Sequence, residues 1–272
     1  MSAPWDRTDC ALPADLAAAL VEAPLPSPCT VRFVGDGWDS WVYEARAGDE
    51  VWMFRFPKRA EVARALEREI ALLPLLEPRL PLAVPCFDII GEPSELFPHP
   101  FVGYRRLPGL PAMDTAMDAA PPRDPEDAGA SLGAFLAALH TFPVDEARAL
   151  GVENDESGAA VLALVHTDFF PEHLLFQDGA PSAVIDWGDV ALGDPAVDLA
   201  GILYLLGERG LAAGLAAYAR IIPDADREAL AARARQAALV RAADDLEYGL
   251  ARDRRAYQEM ALRALRNLTD SW

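Results

Sequence analysis

The stretch LVHTDFFPEHLLFQDGAPSAVIDW, residues 164–187, decides the fold because it places polar residues at the edges of short apolar runs. Asp178-Gly179, a dipeptide typical of a tight turn, joins the runs HLLF and SAVIDW, so the sequence predicts a small β-hairpin. Asp168 precedes the hairpin on a loop, His173 enters it and Asp186 leaves it. The hairpin therefore brings two carboxylates and an imidazole together.

These side chains suit phosphoryl transfer from a metal-bound nucleotide. One carboxylate can orient a hydroxyl, and the remaining groups can hold a hard cation. The order of loop, hairpin and aspartate is the one that this reaction uses. Two alternatives stay open: His166 and the acids could satisfy backbone groups in turns, or His166, His173 and both aspartates could bind a transition metal in a hydrolase.

The charge of the chain limits its partners. Its 272 residues carry 24 Lys and Arg against 43 Asp and Glu, a formal net charge of −19. This charge repels nucleic acid phosphates and anionic lipid, so neither nucleic acid nor a membrane is an expected partner. The same field concentrates a cationic small molecule near a cleft, although acidity for solubility alone explains it equally well.

The cysteines and the N-terminal residues indicate a cytoplasmic protein. Cys10, Cys29 and Cys86 are odd in number and lack CxxC spacing, so we expect neither a disulfide framework nor a zinc site. The N-terminal residues show no basic region followed by an apolar run, and no segment reaches roughly 18 uninterrupted apolar residues.

A first lobe is predicted from residue 30 onward. The runs TVRFV, SWVYEA and VWMFRF within residues 30–56 alternate with turn residues, which is typical of an antiparallel meander. Helical spacing of Val62, Leu66, Ile70 and Leu73 predicts one helix, which Pro74 interrupts. Two further strands, VPCFDIIG and PFVGYRRL, complete a five-stranded sheet.

The rest of the chain is predicted to be mostly helical. An irregular connection rich in Pro and Asp follows Leu107. A helix is expected within 124–143, where an Asp, a Pro and acidic residues form its first turn, and further helices are expected at 194–220 and 224–268.

Several motifs in order carry a resemblance to a known family. HTDFFPEH followed by VIDWGDVALGDPAVDLA resembles the catalytic and metal motifs of the aminoglycoside phosphotransferases, closest to the 2''-aminoglycoside and macrolide phosphotransferases. Upstream, FRFPKR, LEREIALLPLL and FLAALH extend the likeness over most of the chain. The resemblance implies an α+β fold like that of protein kinases, with a nucleotide-binding lobe at 1–103, a catalytic lobe at 104–272 and a hinge at 103–107.

The resemblance also implies roles for single residues. Asp168 matches the catalytic carboxylate that receives or orients the substrate hydroxyl, and Asp186 matches the magnesium-binding aspartate. His173 occupies the place where most kinases have a metal-binding asparagine. Arg55 falls where kinases have a phosphate-contacting lysine, and its expected helix partner is Glu69. Arg55 could instead be an exposed strand residue.

The nucleotide is expected to contact the first lobe. The loop FVGDGWDSWVY resembles the nucleotide-flanking loop, with Gly35, Gly37 and Ser40 near the phosphates, although DG between strands is also an ordinary hairpin turn. Tyr104 and Arg105 lie in the predicted hinge, where the base pairs with backbone groups. Lys58 is the nearby substitute for Arg55 if the strand register differs.

The acceptor site is expected to be acidic. Asp244, Asp245 and Glu247 could bind the amino groups of a cationic sugar, or could form a solvated helix face paired with Arg241, Arg252 and Arg254. Asp189 is a further candidate that faces the substrate. Asp194 and Asp198 are expected to cap a helix and brace the catalytic loop.

The sequence thus predicts a kinase that moves the γ-phosphoryl group of ATP or GTP, with Mg²⁺, to a hydroxyl of an aminoglycoside-like antibiotic. A macrolide or a metabolite alcohol is the alternative acceptor. The segment 141–165 is shorter than in the relatives, so the acceptor pocket is expected to be reduced, more open or completed by a partner chain. A noncatalytic nucleotide-binding module is the remaining alternative.

Overall fold

The computed structural model describes residues 8–26, 28–113, 124–155, 158–159 and 161–269. They divide into two compact units. Unit 1 takes in the described residues up to 75 together with 85–107, and unit 2 takes in 76–84 and the described residues from 108 onward.

Unit 1 contains the predicted five-stranded antiparallel sheet. Its spatial order is β1-β2-β3-β5-β4. The strands are β1 Cys29–Asp36, β2 Ser40–Ala47, β3 Glu50–Pro57, β4 Ile89–Gly91 and β5 Phe101–Arg105. Alternating side chains of β2 and β3 bury Tyr43, Ala45, Trp52, Phe54 and Phe56 in one core. Arg55 therefore points to the opposite face, where it lies beside Val42 in the register.

Two helices accompany this sheet, one more than predicted. Helix α1, Ala14–Glu22, buries Ala17 and Val21 in the sheet core. Helix α2, Ala60–Leu76, continues through Pro74, so the prediction that Pro74 interrupts the helix was wrong. Pro74 lies in the last turn and removes one backbone hydrogen bond there, while burial of Leu73 and Leu76 stabilises the helical path.

Unit 2 holds the other five helices described. They are α3 Pro125–His140, α4 Val144–Ala149, α5 Ala196–Ile221, α6 Arg227–Ala251 and α7 Arg255–Thr269. The predicted start of α3 is confirmed, since the Glu126 N–H donates to the Asp124 carboxylate at 2.8 Å. The segment 224–268 forms two helices because the chain turns at Asp253, where φ is 51°.

Glycines bring α3 and α5 close together. A Cβ on Gly129 would lie 2.2 Å from the Gly210 carbonyl oxygen, and one on Gly133 would lie 2.1 Å from that of Gly214. Any larger residue would push the backbones apart. This contact fixes α5, which carries Asp198 and Tyr204, beside α3.

Two small sheets are built around residues 164–187. Strand β7, Ala163–Val165, pairs with β10, Ala191–Gly193, and the loop that follows β7 carries Asp168. Strands β8, Leu174–Gln177, and β9, Ala180–Val184, form the predicted hairpin, and β6, Leu110–Pro111, adds a third strand. Asp178 and Gly179 both have positive φ, 53° and 80°, which confirms the tight turn. Most of the predicted irregular connection, 114–123, lies outside the described residues.

Helix α5 is long and apolar enough to cross a membrane by length and composition alone. However, 72% of its most apolar stretch is buried inside the protein. A core helix passes the same test, so this single helix is weak evidence of a membrane span.

Candidate active site

The loop that carries Asp168 is fixed from beneath by Asp198. The backbone N–H groups of His166 and Thr167 donate to the two Asp198 oxygens at 2.8 and 2.9 Å. Thr167 has a positive φ of 68°, which is costly for a β-branched residue and requires such support. Asp198 is fully buried on α5, so its position is set by the core.

A buried histidine completes this support. His140 Nε2 lies 3.1 Å from Asp198 Oδ2, and Nδ1 lies 2.9 Å from the Tyr218 hydroxyl. Asp194 has a different role: it accepts from the Ala196 N–H at 3.0 Å near the start of α5. These contacts agree with the predicted bracing and capping roles of Asp198 and Asp194.

His166 is fully buried, and burial lowers the pKa of its imidazole, so the ring is neutral. Its Nε2 lies 3.1 Å from the Ile185 carbonyl oxygen and donates to it. Its Nδ1 has no hydrogen-bond partner among the described residues. His166 therefore links the loop to the hairpin, in agreement with the structural alternative.

The hairpin brings Asp168, His173 and Asp186 together. His173 Nδ1 lies 3.2 Å from Asp168 Oδ2, and Nε2 lies 3.4 Å from Asp186 Oδ2. His173 Nδ1 also donates to the Asp168 backbone oxygen at 2.9 Å. Asp186 has a φ of 64° and a half-exposed side chain. The three groups thus form one connected row.

Charge stabilises the ionised carboxylate of Asp168. Burial alone would raise its pKa, but the charges of His173 and Arg241 outweigh burial and hold the pKa below its usual range. Burial would lower the pKa of His173, yet Asp186 and Asp168 together raise it. The two carboxylates therefore favour the protonated form of the imidazole that lies between them.

This arrangement fits a magnesium ion on Asp186 better than on His173. Mg²⁺ usually takes one or two protein oxygens and fills its shell with phosphate oxygens and water. The half-exposed Asp186 carboxylate suits such a site, whereas an imidazole nitrogen is a less usual Mg²⁺ ligand than a carboxylate oxygen. Among the described residues, no group of three or more His, Cys, Asp and Glu side chains is arranged to hold a metal ion.

Arg241 of α6 lies within a cluster of three carboxylates. Its Nη1 donates to Asp168 Oδ1, its Nη2 donates to Glu172 Oε1, and its Nε donates to Asp245 Oδ1 at 2.8 Å. Its guanidinium carbon lies 4.2 Å from the centre of the Phe170 ring. We call these residues, Asp168, Phe170, Glu172, Arg241 and Asp245, the Arg241 cluster.

Burial changes the pKa of two acids in the Arg241 cluster. It raises the pKa of Glu172 and of Asp245, and the charge of Arg241 offsets part of both increases. The Tyr204 hydroxyl donates to Asp245 Oδ2 at 2.8 Å. Oε2 of Glu172 is buried and has no hydrogen-bond partner among the described residues.

The predicted acceptor-binding acids lie in different environments. Asp245 is buried and paired with Arg241 and Tyr204, which is the ion-pair alternative that the sequence left open. Asp244 and Asp189 are exposed. Glu247 lines a shallow apolar cavity of about 620 Å³ between α6 and α7. The four predicted acids therefore do not form one cluster.

In unit 1, Arg55 and Glu69 form the predicted pair. Two parallel contacts join them, Nη1 to Oε2 at 2.8 Å and Nη2 to Oε1 at 3.2 Å. The side chains are 12% and 1% exposed, so the alternative of an exposed strand arginine was wrong. Their predicted contact with nucleotide phosphates remains a prediction.

Lys58 makes different contacts from Arg55. Its Nζ donates to the carbonyl oxygen of Gly37. The Gly37 N–H in turn donates to the backbone carbonyl oxygen of Ser40 at 3.1 Å. Lys58 thus holds the β1–β2 turn in shape. A Cβ on Gly35 would meet nothing within 4 Å, so open space surrounds that part of the turn.

Tyr104 and Arg105 lie at the end of β5. Tyr104 is buried, with its ring 5.8 Å from that of Phe87. Arg105 is largely exposed, stacks on Trp52 and pairs with Glu50 at 2.9 Å. The contact of their backbone groups with the base remains a prediction.

Two residues of the site carried little signal in the sequence. Glu172 stands in the PEH motif between Asp168 and His173, but nothing in that spacing identified its partner. Arg241 was predicted only as a partner of nearby helix acids, and its contact with Asp168 joins residues 73 positions apart.

Comparison with known families connects this geometry to an enzyme class. A model of the phosphotransferase enzyme family, APH, matches residues 30–160 and 153–233, which together cover most of the chain. A comparison with curated proteins found no match.

Solved structures share the fold along nearly the whole chain. The GDP and kanamycin complex of APH(2")-IIia is 23% identical, covers 94% of this chain and 99% of that chain, and has a TM-score of 0.70. Macrolide 2'-phosphotransferase MphH from Brachybacterium faecium is 26% identical, with 91% and 97% covered and a TM-score of 0.68. The streptomycin-ATP-APH(2")-IIa ternary complex is 18% identical, with 94% and 99% covered and a TM-score of 0.62. The predicted fold and family resemblance are confirmed.

Proposed function

The chain belongs to the phosphotransferase enzyme family, and from this premise we propose that it transfers the γ-phosphoryl group of ATP or GTP, with magnesium, to a hydroxyl of an aminoglycoside-like or macrolide-like antibiotic. The observation that supports this best is the row of Asp168, His173 and Asp186, in which His173 lies between a carboxylate kept ionised and a second, half-exposed carboxylate. This is the pair of groups that the reaction needs.

In the proposed reaction, Asp168 orients the acceptor hydroxyl and takes its proton. The hydroxyl oxygen forms a bond to the γ-phosphorus while the bond from that phosphorus to the β–γ bridging oxygen breaks, and the nucleoside diphosphate leaves with the electron pair. Asp186 is the residue that would hold magnesium, which would neutralise charge on the phosphate oxygens. Arg55, fixed by Glu69, is the proposed contact for phosphate oxygens of the donor.

Both donor types and both acceptor classes have support from related structures. The neighbours named above were solved with GDP and kanamycin and with ATP and streptomycin, and another is a macrolide 2'-phosphotransferase.

The test is a direct search for product. Purified protein is mixed with Mg²⁺, ATP or GTP and a panel of aminoglycosides, macrolides and metabolite alcohols, and mass spectrometry detects products that have gained one phosphoryl group. Asp168→Asn is the matched control because it keeps the shape of the side chain and removes its basicity. We expect the turnover rate of this variant to fall by about 10²–10⁴-fold.

Three results would separate the possibilities. A product that disappears with Asp168→Asn supports the proposal and identifies donor and acceptor. Full activity of Asp168→Asn would overturn the assigned role of Asp168. Binding of Mg-nucleotide without turnover on any acceptor would favour the noncatalytic alternative.

The setting of the protein is also a proposal. We propose that it acts in the cytoplasm as a small-molecule enzyme with no nucleic acid or membrane partner. The net charge of −19 and the three cysteines without CxxC spacing support this setting.

A further inference from the structure

The Arg241 cluster has the composition of a cation-binding cage. Three carboxylates converge on one guanidinium, each on a different nitrogen, and the Phe170 ring lies against its face. Carboxylates combined with an aromatic face are the groups that proteins use to bind organic cations. Here the bound cation is a side chain of the protein itself.

The cage includes the proposed catalytic carboxylate. Asp168 offers Oδ1 to Arg241 and Oδ2 to His173, so each of its oxygens already lies beside a basic group. An ionised carboxylate has about four lone-pair positions, so each oxygen can accept a further hydrogen bond from an uncharged hydroxyl. An ammonium group binds most strongly where several carboxylates converge, and the guanidinium of Arg241 fills that position.

Two further acids line the cage, and the remaining predicted acceptor acids lie outside it. Glu172 and Asp245 are the other two walls of the cage, and both are bound to Arg241. Asp189, Asp244 and Glu247 are exposed and take no part in the cage. A cation that enters the cage would therefore compete with Arg241 directly.

We propose that Arg241 is a specificity-determining residue that fills, from within the chain, the cage in which an ammonium group of the acceptor would bind. The enzyme then selects acceptors whose reactive hydroxyl has no ammonium group beside it. This inference rests on the proposed function, because it assumes that Asp168 receives the acceptor hydroxyl.

The proposal can be tested with two acceptors that differ only in charge. Kanamycin and fully N-acetylated kanamycin carry the same hydroxyls, but only the first carries ammonium groups. Equilibrium dissociation constants of both compounds are measured without nucleotide, at fixed ionic strength, for the natural protein and for Arg241→Gln. The quantity compared is the ratio of the two constants.

Arg241→Gln should shift this ratio at least about tenfold in favour of the charged compound, because it vacates three carboxylates. The affinity for the acetylated compound should change by less than about twofold. Arg241→Lys should give an intermediate ratio, since an ammonium group keeps the charge but cannot reach three carboxylates with a planar fork.

Arg235→Gln is the matched control. Arg235 lies on the same helix and pairs with Glu208 alone, through contacts at 2.6 and 2.8 Å, outside the cluster. Its removal changes the net charge of the protein equally, so it corrects for long-range attraction of the charged compound. For Arg235→Gln, the ratio of the two dissociation constants should be nearly that of the natural protein.

These measurements show whether Arg241 selects among acceptors or only supports the structure. An unchanged ratio in Arg241→Gln, or equal changes for both compounds, would overturn the proposal. If Arg241→Gln does not fold, an unchanged ratio in Arg241→Lys would overturn it as well. Because binding is measured without nucleotide, loss of phosphoryl transfer on every acceptor would refute the proposed function but leave this test readable.

Discussion

Arg55 in unit 1 and Arg241 in unit 2 are both largely buried and paired with carboxylates, yet their contacts differ. Arg55 meets Glu69 through two parallel contacts. Arg241 meets three carboxylates through one contact from each nitrogen. The first arrangement fixes the geometry of a strand arginine against a helix, whereas the second connects α6 to the loop that carries Asp168.

The same residue type thus serves different ends. A buried pair is compensated, so its value lies in holding the guanidinium in place for the proposed contact with donor phosphates. In the Arg241 cluster, three acids depend on one arginine. Removing each arginine should therefore have different consequences.

The largest effect is expected from Arg241→Gln. It leaves three largely buried carboxylates without their cation, which should lower the free energy of unfolding by about 3–5 kcal/mol. Urea denaturation of the variant and the natural protein measures this loss. A decrease under 1 kcal/mol would show that the three acids do not depend on Arg241.

The same variant should show a pH-dependent deficit. Burial already raises the pKa of Asp245, so its ionised form costs stability in the folded state, and loss of Arg241 increases that cost. The cost is present above the raised folded pKa and disappears as pH falls toward about 4, the ordinary carboxyl value. Denaturation at pH 7 and pH 5 should therefore show a smaller deficit at pH 5.

Arg55→Gln should have the next largest effect. It removes the arginine from the almost fully buried carboxylate of Glu69, and we expect a loss of about 3 kcal/mol, near the lower limit for a broken buried pair. Denaturation gives this value, and Mg-ATP binding should weaken in parallel. Adding Glu69→Gln should restore much of the stability, because the stranded charge is then removed. It should not restore nucleotide binding.

Arg55→Lys should have a smaller effect. The ammonium group keeps the charge, but it cannot make both parallel contacts to Glu69, so a loss of about 1 kcal/mol of unfolding free energy is expected. A loss as large as that of Arg55→Gln would mean that geometry matters more than charge at this pair.

The smallest effect is expected from Arg235→Gln. This arginine is about half exposed and pairs with Glu208 at the surface of α6, so its removal should cost less than about 1 kcal/mol. The value is read from the same denaturation series. A loss comparable to that of Arg241→Gln would remove the distinction between the cluster and an ordinary surface pair.

The sequence predicted those parts of the molecule that local patterns specify. The meander, the hairpin and the cap at Asp124 each depend on residues close in the chain, and each was confirmed. The pairing of Arg55 with Glu69 joins residues only 14 positions apart, one on a strand and one on the next helix. The continuation of α2 through Pro74 was missed because burial of its apolar side chains outweighed the local preference of proline.

What the sequence by itself determined is the order of most elements and the candidate groups for the chemistry, because alternation, turn residues and motif spacing act over a few positions. Only the tertiary structure decided what those groups touch. Asp198 reaches the loop that carries Asp168 across 32 positions, and Arg241 reaches Asp168 across 73, since the packing of α5 and α6 sets both distances. The charge around the candidate active site depends on such long-range packing, for which spacing along the chain carries no signal.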